Sequence, residues 1–250
     1  MKTCSTLYSG TSNIVVPIKQ SQYPPEFRGA SRLQYYASLF SSLEVNSSFY
    51  KIPKAATIEK WCESVPSHFR FTFKLPKAVT HAKGLQFSVE EVERFTEVIA
   101  YTGDKKGCLL VQLPPSVSRE RQEELEGLLE CLRDDAKGWK IAVEFRNVSW
   151  YNRAVYRVLQ HYGATLVEHD LPNSVTPPVQ ATDDFTYMRF HGPEGGYRGS
   201  YNETTLARYA ARIADGIKNG RDMYVYFNNT MGDAIGNLQT VNKKVKDLSY

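Results

Sequence analysis

Five charged side chains and one imidazole stand where strand-like apolar runs of the sequence turn them away from solvent: Glu44, Lys74, Glu144, Arg146, Arg189 and His191. Proton transfer needs a carboxylate or imidazole within hydrogen-bond reach of the reacting group, and nearby cations hold an anion or the charge that develops on it. Glu144, His191 and Glu44 are the catalytic candidates. Lys74, Arg146 and Arg189 are candidates for holding an anion, arginine adding a planar fork that grips phosphate or carboxylate with two bonds. Asn46, Gln112, Asn228 and His81 would orient a polar ligand. The set fits a small anionic or polyhydroxylated substrate, handled by the acid–base chemistry of a lyase, isomerase or hydrolase with no cofactor. Inward charges are costly unless paired, so the same residues also fit a structural network that neutralises itself. A strained site would sacrifice stability for function, and Glu144→Gln would then fold at least as stably as the parent.

The elements that must position these residues follow from periodicity. Eight β-rich runs recur: Leu7–Thr11, Leu43–Phe49, Phe69–Leu75, Cys108–Leu113, Lys140–Arg146, Thr165–Asp170, Phe185–His191 and Met223–Asn228. Their apolar alternates mark an outward face. Leu43 and Val45 leave Glu44, Asn46 and Ser48 inside; Phe69, Phe71 and Phe73 leave Arg70, Thr72 and Lys74 inside; Ile141, Val143 and Phe145 leave Glu144 and Arg146 inside. Helical periods separate most runs, with start signals at Ser31, at Thr57, at Ser88 with Glu91 as a capping box, at Asn152, at Asn202 and at Asp233. This alternation predicts a single α/β domain over residues 1–250, a TIM (β/α)8-like barrel, with a doubly wound open sheet as second choice. Pro172, Pro177 and Pro178 break the connection between the sixth and seventh runs, so one helix of the ring should be missing there.

Composition narrows the classes. With 42% hydrophobic and 23% charged residues the chain is no disordered polymer, and a formal charge of +4 over 250 residues is small for a dedicated nucleic-acid binder. Four cysteines with no Cys-x-x-Cys pair are expected to be free thiols. No run approaches the ~18 apolar residues of a membrane span, and Met1–Thr6 lacks an apolar leader. A soluble cytoplasmic protein without a membrane partner is expected.

Several stretches together carry a family resemblance over nearly the whole chain: Glu44-Val45-Asn46-Ser47-Ser48-Phe49-Tyr50, Phe71-Thr72-Phe73-Lys74 with Thr80-His81, Val111-Gln112-Leu113-Pro114-Pro115, Val143-Glu144-Phe145-Arg146 with Ser149-Trp150, Arg189-Phe190-His191-Gly192, and Tyr224-Val225-Tyr226-Phe227-Asn228-Asn229. The sequence resembles the YecE-like family, also called the domain of unknown function 72 family. The resemblance implies a TIM barrel and carries no activity with it. Where that family has an aromatic Gly-x-Ser-Gly-Trp-like segment, this chain has Gly10-Thr11-Ser12-Asn13-Ile14.

Two other chemistries compete. His81, Glu144, His169, Asp170 and His191 near strand ends would suit a metal-assisted, nuclease-like barrel if they converged, although no helical ligand pair is present and the expected metal set is none. Lys77, Lys83 and Arg198 with Tyr50, Trp150, Tyr197 and Tyr201 would suit nucleic-acid binding, the alternative to a small-molecule site. His68 and His161 are expected in solvent, and Gly192–Gly199 is expected to form a mobile lid over the mouth.

Overall fold

The computed structural model describes residues 5–178 and 184–248. Nine strand segments carry the scaffold: β1 (Leu7–Thr11), β2 (Ser42–Val45), β3 (Arg70–Lys74), β4 (Lys106–Gln112), β5 (Lys140–Glu144), β6 (Ala164–Leu166), β7 (Glu168–His169), β8 (Phe185–Phe190) and β9 (Asp222–Phe227). All ladder pairings are parallel, in two sheets ordered β2-β3-β4-β5-β6 and β1-β9-β8-β7. The sixth run of the sequence is thus one strand broken at Val167, whose N–H reaches Val143 O at 2.9 Å. It passes from a ladder with β5 to a ladder with β8.

At the other junction, β1 and β2 have no ladder. Ser12 bridges Glu44 in parallel, and the Asn13 N–H donates to Glu44 O at 2.8 Å. Below that point side chains replace the ladder. The Tyr36 hydroxyl accepts from the Thr11 N–H at 2.6 Å and lies 3.1 Å from Ser42 O. The Ser41 hydroxyl likewise accepts from the Ser9 N–H and donates to Leu7 O. Gly10 is required at this seam, since a Cβ there would lie 1.9 Å from Ser42 O.

The alternation expected from sequence is visible in the packing. Phe71, Phe73, Leu109, Val111, Ile141, Val143, Val225 and Phe227 join one apolar cluster with the helices. Their strand neighbours Cys108, Leu110, Ala142, Tyr224 and Tyr226 join a separate inner cluster with Tyr187 and Val167. Period two therefore divides the strands between an outer and an inner core.

The helices are α1 (Arg32–Leu39), α2 (Ala55–Glu63), α3 (Lys77–Thr80), α4 (Val89–Ile99), α5 (Gln122–Asp135), α6 (Arg153–His161), α7 (Glu203–Lys218) and α8 (Ala234–Leu248). Ser31, Ser88, Asn152 and Asn202 cap as expected, each accepting a backbone N–H of the first turn. Two details differ. α2 begins at Ala55, so Thr57 lies inside it. The box at Ser88 is half made, because the Glu91 carboxylate turns to Arg94 at 2.6 Å. Between β7 and β8 the described residues hold only the turn Pro172–Ser174, as the prolines require. The run Leu43–Phe49 is shorter as a strand than expected. It leaves the sheet after Val45 for a 3-10 turn at Asn46–Phe49, where the Ser48 hydroxyl lies 2.7 Å from both Val45 O and Lys74 O.

Cys62, Cys108 and Cys131 are free thiols, and Cys4 lies outside the described residues. Among the described residues no helix is long and apolar enough to cross a membrane. Gly10→Ala should cost about 3 kcal/mol, lowering Tm by ~6–12 °C in a thermal melt, because a backbone carbonyl rather than a flexible side chain must yield. A melt unchanged within ~2 °C would show that β1 and β2 are not held at this spacing.

Candidate functional site

The strand ends bring the charged set together. Glu144 ends β5, Lys74 ends β3, Gln112 ends β4, while Glu44 and Arg189 stand one residue before the ends of β2 and β8. Arg189 is the hub. Its Nη1 reaches Glu144 Oε2 at 2.6 Å and its Nη2 reaches Glu44 Oε1 at 2.8 Å. Glu44 also accepts from Ser12 Oγ at 2.6 Å and from the Tyr187 hydroxyl. The other oxygen of Glu144 accepts from Arg146 Nε. Burial alone would raise both carboxyls, but the guanidinium charges outweigh it: Arg189 holds Glu44 below its ordinary value, and Arg146 with Arg189 hold Glu144 well below. Both are ionised, and every oxygen has a donor.

His191 continues the chain of contacts. Arg146 Nη2 can only donate, so His191 Nε2, 2.9 Å away, must accept and the imidazole proton sits on Nδ1. That nitrogen lies 3.5 Å from Asp170 Oδ1. Asp170 also takes the backbone N–H of His191 at 2.7 Å and the hydroxyls of Tyr201 and Tyr209. Burial pushes His191 down to about 4, so it is neutral. Of the catalytic candidates, Glu44 and Glu144 have both oxygens engaged, and His191 is held through Nε2 by Arg146 while its buried Nδ1 makes no hydrogen bond. The geometry makes them supports of two guanidinium groups.

Above this layer lies a cleft of 310 Å³ bordered by Asn46, Lys74, Gln112, Arg146, Arg189 and Asn228. Lys74 Nζ donates to Gln112 Oε1 at 2.7 Å and sits 4.1 Å from the centre of the Phe49 ring. Burial, followed by the Arg189 charge, pushes Lys74 down to about 8. Among the described residues it has no carboxylate within 4.0 Å, and Arg146 Nη1 has no partner. Asn46, displaced from the strand by the 3-10 turn, lines the cleft nonetheless, with its buried Oδ1 unpartnered. The local count is three cations against two engaged carboxylates, and the surplus positive charge lies at Lys74.

Other expected residues fall elsewhere. His81 packs edge-on against Phe49, 3.0 Å from Thr80 Oγ1, and burial, then Lys74, pushes it down to about 4; it is not in the cleft wall. His169 is a structural histidine. Its Nδ1 accepts from the Leu171 N–H, which leaves Nε2 to donate to Phe145 O at 3.0 Å. The metal-assisted constellation does not assemble, for among the described residues no three of His, Cys, Asp and Glu are grouped to hold an ion. Trp150 and Tyr201 are buried, Trp150 stacked on Phe145 and bonded to Val117 O, so neither can stack on a base. His68 and His161 are exposed. The loop expected as a mobile lid is pinned: Tyr197 N bonds His191 O, Met231 N bonds Tyr197 O, and Asn229 Nδ2 and Asp233 N bond Gly199 O. Gly192, at φ 100, approaches Arg198 O so closely that a Cβ would lie 2.2 Å away. Tyr187 and Tyr201 had no polar signal in sequence, since their rings read as core and only their hydroxyls join the network.

The family model described as "Protein of unknown function DUF72" matches residues 12–249. The UPF0759 protein YunF of Bacillus subtilis (strain 168) is 29% identical over 248 residues, covering 87% of each chain. The UPF0759 protein YecE of Escherichia coli (strain K12) is 26% identical over 139 residues, 55% of this chain and 50% of that protein. Among solved structures, a DUF72 family protein from Thermotoga maritima MSB8 is similar at a TM-score of 0.76, with 27% identity over 96% of this chain and 99% of that one. A DUF72 family protein from Enterococcus faecalis V583 is similar at a TM-score of 0.78, with 21% identity and 96% of each chain covered.

The buried ion chain reverses the stability expected of a strained site. Glu144→Gln removes a charge that two buried guanidinium groups share, and should cost about 3 kcal/mol in denaturant unfolding. The double variant Glu144→Gln/Arg146→Met should cost less than the sum of its single changes by ~1 kcal/mol or more. Additive losses would show that the pair is not coupled. The chain should also weaken on acidification. With His191 held at about 4 when folded, the unfolded chain takes up the proton first, and stability falls as pH drops from ~6.5 toward 4.

Proposed function

The chain belongs to the DUF72 family of proteins of unknown function, and on that premise we propose that it is a single-domain (β/α)8 barrel whose C-terminal mouth binds a small anionic or polyhydroxylated substrate for acid–base chemistry. The barrel reading is supported by the all-parallel ladders, by the strand shared between sheets at Val167 and by the Ser12–Glu44 bridge at the opposite seam. Barrel sites form at the C-terminal strand ends, where Lys74, Gln112, Glu144 and Arg189 stand. The three free thiols suit a reducing cytoplasm.

One observation carries the reading: Lys74 and Arg146, cations with donor capacity that no carboxylate takes up, line one small cleft over a floor whose carboxylates are already engaged. Lys74 Nζ and Arg146 Nη1 are the donors, and the Asn46 and Asn228 amides have side-chain bonding capacity to spare. A free anion would complete them. Glu144 and His191 orient the Arg146 fork, and Glu44 with Glu144 fixes Arg189 beneath it, so the binding groups need no rearrangement when the ligand arrives. Lys74, whose proton is not locked into an ion pair, is the candidate proton carrier.

Sulfate tests this, because its charge is constant over the relevant pH range. Calorimetry should show binding to the parent and at least tenfold weaker binding to Lys74→Met. The sign with pH follows from Lys74. Its charge is present below about 8 and lost above, so affinity should fall as pH rises through that value. No binding of sulfate or of a sugar phosphate would sink the proposal. Tight, steeply salt-dependent binding of a single-stranded oligonucleotide would favour the nucleic-acid reading instead, with exposed Tyr50 and Lys77 at the rim as its contacts.

A further inference from the structure

The setting of Lys74 is more particular than anion binding requires. A lysine meant only to hold a charge is best served by a nearby carboxylate, which keeps it protonated. Lys74 has instead one neutral acceptor, Gln112 Oε1, and the face of Phe49. The two carboxylates beneath it are spent on Arg189 and Arg146, so the arginines, not the lysine, own the negative charge. It stands half-buried at the end of β3 and lines the cleft. An amine placed in this way, partly dry and beside other cations, is the arrangement that turns lysine into a nucleophile.

We propose that Lys74 is the covalent nucleophile of this cleft, forming an imine with the carbonyl carbon of a small aldehyde or ketone that also carries an anionic group. The proposal rests on the anion-binding reading of the same mouth and names the substrate class and the reacting atom. The neutral amine adds its lone pair to the carbonyl carbon, and the carbon–oxygen π pair moves to oxygen, which is protonated. The carbinolamine takes a second proton on that hydroxyl and loses it as water; the nitrogen gives up one of its protons, leaving a protonated imine. The sum is amine, carbonyl compound and one proton in, iminium and water out, with no change of oxidation state. Arg146 Nη1 holds the anionic group. The Asn46 and Asn228 amides border the same space and are the groups available to a hydroxyl or the carbinolamine oxygen. An iminium draws electrons from the neighbouring bond, so the reaction class is proton removal or carbon–carbon cleavage beside the original carbonyl. Burial and the neighbouring guanidinium charges push Lys74 down to about 8, which enlarges its neutral, nucleophilic fraction near neutral pH relative to an ordinary lysine.

The full chain is incubated with pyruvate or dihydroxyacetone phosphate, reduced with sodium borohydride and mapped by peptide mass spectrometry. A secondary-amine adduct should form on Lys74, be slowed by sulfate, and be absent from Lys74→Arg, which keeps the charge. Independently of substrate choice, Lys74 should react with trinitrobenzenesulfonate at neutral pH at least tenfold faster than the exposed lysines. Scattered or absent adducts together with an unreactive Lys74 overturn the imine. If the parent and Lys74→Arg still bind sulfate within a few-fold of each other, the anion-binding reading survives that loss. If neither binds sulfate, that reading falls on its own account.

Discussion

Arg189 is a full positive charge at 1% exposure, and the architecture of the mouth depends on what surrounds it. A buried guanidinium is tolerable only with charged partners and satisfied geometry. Its two carboxylates come from β2 and β5, in one sheet, while Arg189 belongs to β8 in the other. The ion chain therefore couples the two sheets from the inside, at the level where β1 and β2 have only an isolated bridge. Shifting any of the three strands by one residue would bury an unpaired charge, so the same contacts that bind also specify register.

The side chains between the two sheets form successive layers along the strands. At the N-terminal end Tyr8 stacks on Tyr224, with Phe185 and Cys108 nearby, and Arg70 and Lys140 lie over the Tyr8 and Phe185 rings. The next layer trades hydroxyls: Tyr226 lies 2.7 Å from both Ser42 Oγ and Thr72 Oγ1, and Tyr187 supplies Glu44 from below. The ionic layer follows, and then the cleft. Burial pushes both tyrosine hydroxyls up and keeps them protonated, Tyr187 as a donor to Glu44 and Tyr226 as a partner of the Ser42 and Thr72 hydroxyls. The buried ion pairs and the cleft thus lie together at the C-terminal strand ends, where water or a ligand can share in the hydrogen bonding.

Much of this was legible in sequence because a strand in a two-sided core must alternate: Phe71 and Phe73 outward forced Thr72 and Lys74 inward. The parts that were not legible are those where a side chain overrode the period. Ser48 replaced a ladder bond and ended β2 early, so Asn46 reaches the cleft from a turn. Tyr36 reads as a core aromatic on α1, yet its hydroxyl serves as the backbone partner of both β1 and β2. Asp170 carried a carboxylate signal, but its partners Tyr201 and Tyr209 lie on and before a distant helix, so no local spacing could link them. Residue type revealed which charges sit inside. It could not reveal which were already spent.

That distinction decides where chemistry can occur. A group that moves protons must exist in two states of similar free energy, and Glu144, with both oxygens bound to guanidinium groups and its pKa far below the ordinary range, has effectively one. His191, neutral and accepting from Arg146, is likewise fixed, since protonating Nε2 would set it against the donor it receives. The more strongly these residues hold each other, the less each can react and the more rigidly they present Arg146. The proposed chemistry therefore rests on the first charged group that the carboxylates do not reach. Lys74 is that group, and its single amide partner leaves it free to gain or lose a proton within the pH range where a cell operates.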